Sequence, residues 1–230
     1  MTEKPSASPN RRTGKQIKSA QPKQVHELKI TLNGSKPPIW RCIAVASDIR
    51  LSNLHKVIQT VMGWDNYHLH QFVIPCSRPK PTREYLASLD FQKRYEVLAL
   101  TRDSCWSDPR MELDGAEDER KVSLQELAPT VGSKLIYEYD FGDGWKYMIE
   151  AVKIGPPTEG MKYPVCLSGQ LACPPEDCGG IWGYYGKLEI LKNPKYGDYE
   201  DILEWMGEDC NPEYFNIEEI NAKLAKRQFV

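Results

Sequence analysis

Three short stretches of this 230-residue chain concentrate side chains able to bind cations or move protons. His68 and His70 stand two apart in Tyr67-His-Leu-His-Gln-Phe72. Alternate residues of a strand point the same way, with backbones about 7 Å apart, so two imidazoles there could share one metal. The competing reading has one histidine packed and the other bonded to a backbone carbonyl, and Phe72 and Ile74 on the same face favour it. Asp140 and Asp143 lie in Asp140-Phe-Gly-Asp143-Gly-Trp145. Two carboxylates at a hairpin tip can bind a divalent cation through oxygen. They can equally be turn chemistry, because Asp accepts local backbone hydrogen bonds and Asp-Gly supplies positive φ. Asp-Phe-Gly here is a chance match to the kinase triplet, since no glycine-rich phosphate loop or strand lysine accompanies it.

The third stretch is Cys166-x6-Cys173-x4-Cys178. Three thiols could hold zinc with a fourth ligand, although the spacing is not the tight C-x2-C knuckle. Cys166/Cys173 or Cys173/Cys178 could instead be a redox pair. The plain alternative is a rigid loop, stiffened by Pro174-Pro175 and turned at Gly179-Gly180. Within that loop, Glu176 and Asp177 are held between prolines, cysteines and glycines. If the loop folds over the His68/His70 strand and the Asp140/Asp143 turn, one cleft gathers carboxylates, imidazoles and thiols. That is the site expectation: a metal or small-ligand pocket of His68, His70, Asp140, Asp143, Trp145, Glu176 and Asp177. Trp182, Tyr184 and Tyr185 are further candidates for its aromatic walls, with core packing the simpler role for each.

The elements that must position these residues follow from periodicity. Leu28, Ile30 and Leu32 alternate as a strand, Asn33-Gly34 turns the chain, and Ile39 to Val45 returns. Leu51, Leu54, Val57, Ile58, Val61 and Met62 share one helical face, with Asp48 near the cap, Gly63 at the end, and His55, Lys56 and Gln59 on the polar side. His68 to Ile74 reads as a third strand. Residues 83–121 are poorly legible, with a short helix near Glu84–Leu89, a strand near Tyr95–Leu100 and a charged surface loop at Asp114–Arg120. Ser123 and Glu126 form a capping box. Leu135, Tyr137 and Tyr139 alternate, Asp143-Gly144 turns, and Trp145, Tyr147 and Ile149 return. A Gly/Pro/Cys-rich stretch, 155–186, leads to three closing helices marked by Tyr184/Leu188/Leu191, Tyr199/Ile202/Leu203/Met206 and Ile217/Ile220/Leu224, the last capped by Asn216. Hairpins without a βαβ repeat predict an α+β fold, mainly antiparallel, packed against helices, with a helical C-terminal segment.

Composition bounds the partners. Apolar residues make up 40% and charged residues 27%, an ordinary globular balance. No apolar run is long enough for a membrane helix, and no apolar leader suggests secretion. Seven cysteines in irregular spacing predict reduced thiols in a cytoplasm. Residues 1–24 carry six Lys or Arg against Glu3, a charge of +5, so the overall −2 leaves −7 on residues 25–230. An acidic body is a poor binder of phosphate backbones, so nucleic acid is expected only through the tail. The tail reads as disordered and the remainder, 25–230, as a single domain.

Five motifs in order carry a family resemblance: Lys36-Pro-Pro-Ile-Trp-Arg41; Leu54-His-Lys-Val-Ile-Gln59 with Met62-Gly-Trp64 and Tyr67-His-Leu-His-Gln-Phe72; Tyr139-Asp-Phe-Gly-Asp-Gly-Trp145; Ala172-Cys-Pro-Pro-Glu-Asp-Cys-Gly-Gly180; and Glu204-Trp-Met-Gly-Glu-Asp209. The chain resembles the plasmid pRiA4b ORF-3-like family, whose members also travel as passengers of insertion elements. The resemblance implies a compact α+β domain and no assigned activity. The chain departs from the family pattern at Tyr147, where members often carry His, and at Cys210, where an aromatic is common. Some members lack the second cysteine of the Cys-Pro-Pro-Glu-Asp-Cys stretch. No serine or tyrosine nucleophile sits among clustered arginines, as a resolvase would need. The expected role is a mobile-element-associated binding or interaction protein. The alternatives are a metal-dependent, hydrolase-like enzyme using His68, His70, Asp140, Asp143 and Glu176, and a zinc-stabilised module using Cys166, Cys173 and Cys178.

Overall fold

Alternation in the first strand signal translates directly into β1 (Val25–Leu32), whose Leu28, Ile30 and Leu32 are buried. The chain turns at Asn33-Gly34, with Gly34 at positive φ, and returns as β2 (Trp40–Ala46), which pairs antiparallel with Leu28 opposite Ile43. The computed structural model describes residues 21–227 and Phe229. Most of the basic tail therefore lies outside the described residues.

Helix α1 (Leu51–Met62) forms as its apolar spacing predicts and ends where Gly63 adopts a left-handed conformation at φ 86°. That reversal sends Trp64 straight back into the core, its N–H bonded to the Gln59 carbonyl. Two details differ from expectation. The residue at the N-terminal boundary is Arg50, without a side-chain cap, not Asp48. His55 and Gln59, read as polar-face residues, are buried, with His55 Nδ1 and Gln59 Nε2 both bonded to the Tyr137 hydroxyl.

Strand β3 (His70–Ile74) begins two residues later than the periodicity suggests. Residues 83–121 account for most of the remaining differences. Helix α2 (Arg83–Ala87) is present as expected, but Tyr95–Leu100 belongs to helix α3 (Phe91–Leu100), not to a strand. Asp90 caps α3 through Lys93 N–H, and a run rich in straight-chain helix formers follows. Neither helix buries a residue, so no apolar period could betray them. Short strands β4 (Ser104–Ser107) and β5 (Glu117–Asp118) then extend the sheet. The Asp114–Arg120 run is thus not simply a surface loop: Glu119 is 3% exposed and accepts from His70 Nε2 at 2.8 Å.

Helix α4 (Leu124–Leu127) starts at the Ser123/Glu126 capping box. Strands β6 (Lys134–Tyr139) and β7 (Trp145–Gly155) form the second hairpin, and β8 (Val165–Gln170) adds a strand inside the stretch read as loop. Helices α5 (Gly180–Leu191), α6 (Tyr199–Met206) and α7 (Ile217–Lys226) follow. The eight strands run in the order β5-β4-β3-β6-β7-β1-β2-β8, antiparallel throughout except for β4 with β5. The fold is α+β, as expected. No helix among the described residues is long and apolar enough to cross a membrane.

The buried face of α1 meets the aromatic face of β6 and β7 in one core. A polar network runs through it. His55 stacks on His70 at 3.5 Å, with Nδ1 against the Tyr137 hydroxyl and Nε2 against Asn66, both at 2.7 Å. Burial, helped by the neighbouring His70, pushes the His55 imidazole down to about 3 from its ordinary 6.5. Between those values the unfolded chain binds a proton that the folded chain refuses. Stability therefore rises with pH through this window and is lost as pH falls through it. We expect urea denaturation between pH 6.5 and 4 to show a slope that His55→Gln makes shallower, by up to about 1.4 kcal/mol per pH unit. Equal slopes in the two proteins would contradict this assignment.

Candidate metal centre

The aromatic column that supports the site starts at Trp64. Its ring stacks on Tyr139 at 4.7 Å, tilts against Trp145 at 5.8 Å and meets Tyr147 edge-on at 5.5 Å. The Trp64 indole N–H donates to the Pro174 carbonyl at 2.9 Å, anchoring the 171–179 loop onto the sheet. Large aromatic contacts of this kind contribute about 0.5–1.5 kcal/mol per pair beyond area burial.

Tyr139, the last residue of β6, carries the central polar contact. Its hydroxyl accepts from the backbone N–H of Tyr67 at 3.0 Å and of His68 at 3.3 Å, and donates to a carboxylate oxygen of Glu176. The other Glu176 oxygen accepts from Asp65 N–H at 2.9 Å. Burial raises the Tyr139 phenol well above its ordinary value, and the Glu176 bond adds to the rise, so the group stays a neutral donor. One hydroxyl thus ties the segment before β3 to the loop that carries Glu176 and Asp177.

The hairpin tip is fixed independently. Asp140 adopts a left-handed conformation at φ 51°, and its Oδ1 accepts from Gly142 N–H at 3.0 Å and Asp143 N–H at 3.3 Å. Asp143 Oδ2 accepts from Gly179 N–H at 3.0 Å, beside the N-terminus of α5. The two backbones approach so closely that a Cβ on Gly180 would collide with the Asp143 carbonyl oxygen. Gly180 is also at φ 67°, a conformation that suits only glycine without cost.

These ties bring three side chains to one point. His68 Nε2 lies 3.2 Å from Asp177 Oδ1 and 3.8 Å from Asp140 Oδ2. One ligand atom from each residue falls within 4.8 Å of the others. The Nε2 atom is buried yet makes no hydrogen bond among the described residues. Two ligands of a tetrahedral zinc, each about 2.0–2.2 Å from the ion, stand roughly 3.3–3.6 Å apart, so this spacing fits a cation after small adjustments.

The remaining expected site residues fall elsewhere. His70 points into the core, stacked on His55 and bonded to Glu119, so the two histidines do not share a face; the chain is not yet a strand at His68. Asp143 and Glu176 hold the loops and do not join the cluster. Trp145 is 2% exposed and packs against Trp64. The three cysteines do not converge on a common point among the described residues. Cys166 sits on β8, Cys173 contacts the Tyr147 hydroxyl at 3.1 Å, and Cys178 faces the Gly180 carbonyl. Burial pushes their thiols up to about 11, 11 and 12. The contribution of the Tyr139 hydroxyl has no signature beyond its place at the head of the Asp-Phe-Gly-Asp motif.

A model of the family described as plasmid pRiA4b ORF-3-like protein matches residues 24–219. The chain belongs to the plasmid pRiA4b ORF-3-like family. All three clustered residues lie inside the matched span. The uncharacterized protein y4hQ of Sinorhizobium fredii (strain NBRC 101917 / NGR234) is 34% identical over 202 residues, covering 87% of this chain and 90% of its own. The protein of unknown function MM3350 from Methanosarcina mazei Go1, solved by crystallography, superposes with a TM-score of 0.70 at 34% identity, over 86% of this chain and 98% of that one. Neither of these names assigns a reaction.

Tyr139→Phe keeps the ring and removes the hydroxyl, leaving two backbone N–H groups and Glu176 without it. We expect a loss of about 1–3 kcal/mol in chemical denaturation. An unchanged midpoint would show that the two segments hold together without this contact.

Proposed function

We propose that the protein is a binding module whose site is a divalent cation held by His68, Asp140 and Asp177. The observation that carries this reading is the buried Nε2 of His68, which makes no hydrogen bond yet lies 3.2 and 3.8 Å from two carboxylate oxygens. An imidazole with two carboxylates suits zinc or manganese, and three protein ligands leave further positions on the ion open. Those open positions are where a ligand or partner would add its own donor atom.

Binding is favoured over catalysis by how the neighbours are used. A general acid or base needs a free proton-transferring atom within reach. Tyr139 is committed to three partners, Glu176 to two, and Asp143 to Gly179. These groups hold the cluster in place. The seven cysteines stand as free thiols, which supports a place in the reducing cytoplasm. Contact with nucleic acid, if part of the role, falls to the +5 charge of residues 1–24, since residues 25–230 carry −7.

Isothermal titration of chelator-treated protein with zinc and with manganese tests the proposal. We expect about one ion per chain, with affinity reduced more than about tenfold by His68→Ala and by Asp177→Asn. The triple variant Cys166→Ser, Cys173→Ser, Cys178→Ser should retain the ion. Failure of the wild-type chain to bind either ion, or loss of binding only in the cysteine variant, would overturn it.

A further inference from the structure

The charges around the cation cluster limit what can join the ion there. As ligands, His68 is neutral and Asp140 and Asp177 bring one negative charge each. A divalent ion held by the three is therefore neutralised by its own ligands. Three further carboxylates stand beside them. Glu176 precedes Asp177 in the chain and accepts from Asp65 N–H at 2.9 Å, which places Asp65 next to it. Asp143 donates its own N–H to Asp140 Oδ1 and accepts from Gly179 N–H, two residues beyond Asp177.

Nothing cationic offsets these three. Asp65, Asp143 and Glu176 form no ion pair among the described residues. The hydrogen bonds to Asp140, Asp143 and Glu176 come from backbone N–H groups and the Tyr139 hydroxyl, none of which carries a full charge. Lys187, a base bonded to the same loop, donates to the Cys178 carbonyl at 3.1 Å and lies over the Trp205 ring. The occupied site is thus neutral at the ion and negative around it, whereas an ion free in water draws anions with both its charges. Its approach is open at Asp177, whose side chain is 68% exposed, against 26% for His68 and 11% for Asp140.

We propose that the open position on this ion takes a neutral nitrogen donor of the imidazole class in preference to an anion, a reading that rests on the cation site itself. The carboxylates repel carboxylate, phosphate or azide, and leave a neutral ring unopposed.

Cobalt(II), which accepts the ligands of zinc and reports them in its visible spectrum, is the probe ion. One cobalt per chain is first established by calorimetry. Imidazole and azide are then titrated at pH 8 and low salt into the cobalt-loaded full chain and, in parallel, into cobalt free in solution. We expect the preference for imidazole over azide to be about tenfold greater on the protein than on the free ion. Asp65→Lys, at an exposed position, should raise azide affinity about fivefold and leave imidazole unchanged. A third arm uses acetyl-Gly-Gly-His-Gly-Gly-amide: tighter binding than imidazole assigns the donor to a polypeptide, weaker binding to a free small molecule. Absence of cobalt binding would fell the cation reading and this inference with it. Cobalt that binds but refuses imidazole, that prefers it no more than the free ion does, or whose azide affinity is unmoved by Asp65→Lys, would overturn this inference alone.

Discussion

The hydroxyl of Tyr139 is the constraint on which the site geometry depends. It sits at the end of β6, where the sheet gives way to loops, and it meets the backbone before β3 and the Glu176 side chain at once. His68, Asp140 and Asp177 come from three segments far apart in sequence, and each would wander without such ties. Trp64 and Asp143 add two further anchors, to Pro174 and to Gly179. The cluster is therefore built at the rim of a rigid sheet by fixing loops to it, an arrangement that would pre-order its three side chains for the proposed ion.

This division of labour explains which acidic residues could serve a cation. Asp140 spends one oxygen on its own turn and keeps the other toward His68. Asp177 is two-thirds exposed and adds its carboxylate from outside. Glu176, next to it in sequence, faces inward and spends both oxygens on Tyr139 and Asp65. Neighbours of one chemical type thus divide into a member of the cluster and a support.

Much of the architecture was legible because buried faces impose a period. The hairpin at Asn33-Gly34, helix α1, the Ser123/Glu126 cap and the last three helices all follow from apolar spacing and local turn chemistry. What escaped has physical reasons. Helix α3 buries nothing, so the alternate residues Tyr95, Val97 and Ala99 mimic a strand with no buried helical face to contradict them. Strand β8 is Cys-, Ser- and Gly-containing and sits at the sheet edge, where alternation is weak. Glu119 hid in a charged run because its burial depends on His70, forty-nine positions away in sequence. The site was legible as motif density but not as a ligand set. Spacing alone suggests that His68 and His70 act together, whereas the strand starts only at His70 and separates them. Which of Glu176 and Asp177 turns inward is decided by Tyr139, a long-range contact that no local pattern encodes.

The most direct measurement is an anomalous-difference map from crystals grown with zinc and recorded at the zinc edge. The account predicts a peak bounded by His68, Asp140 and Asp177, with Glu176 still bonded to Tyr139. A peak at the cysteines of the 166–178 stretch, or none near His68 at full zinc saturation, would contradict it.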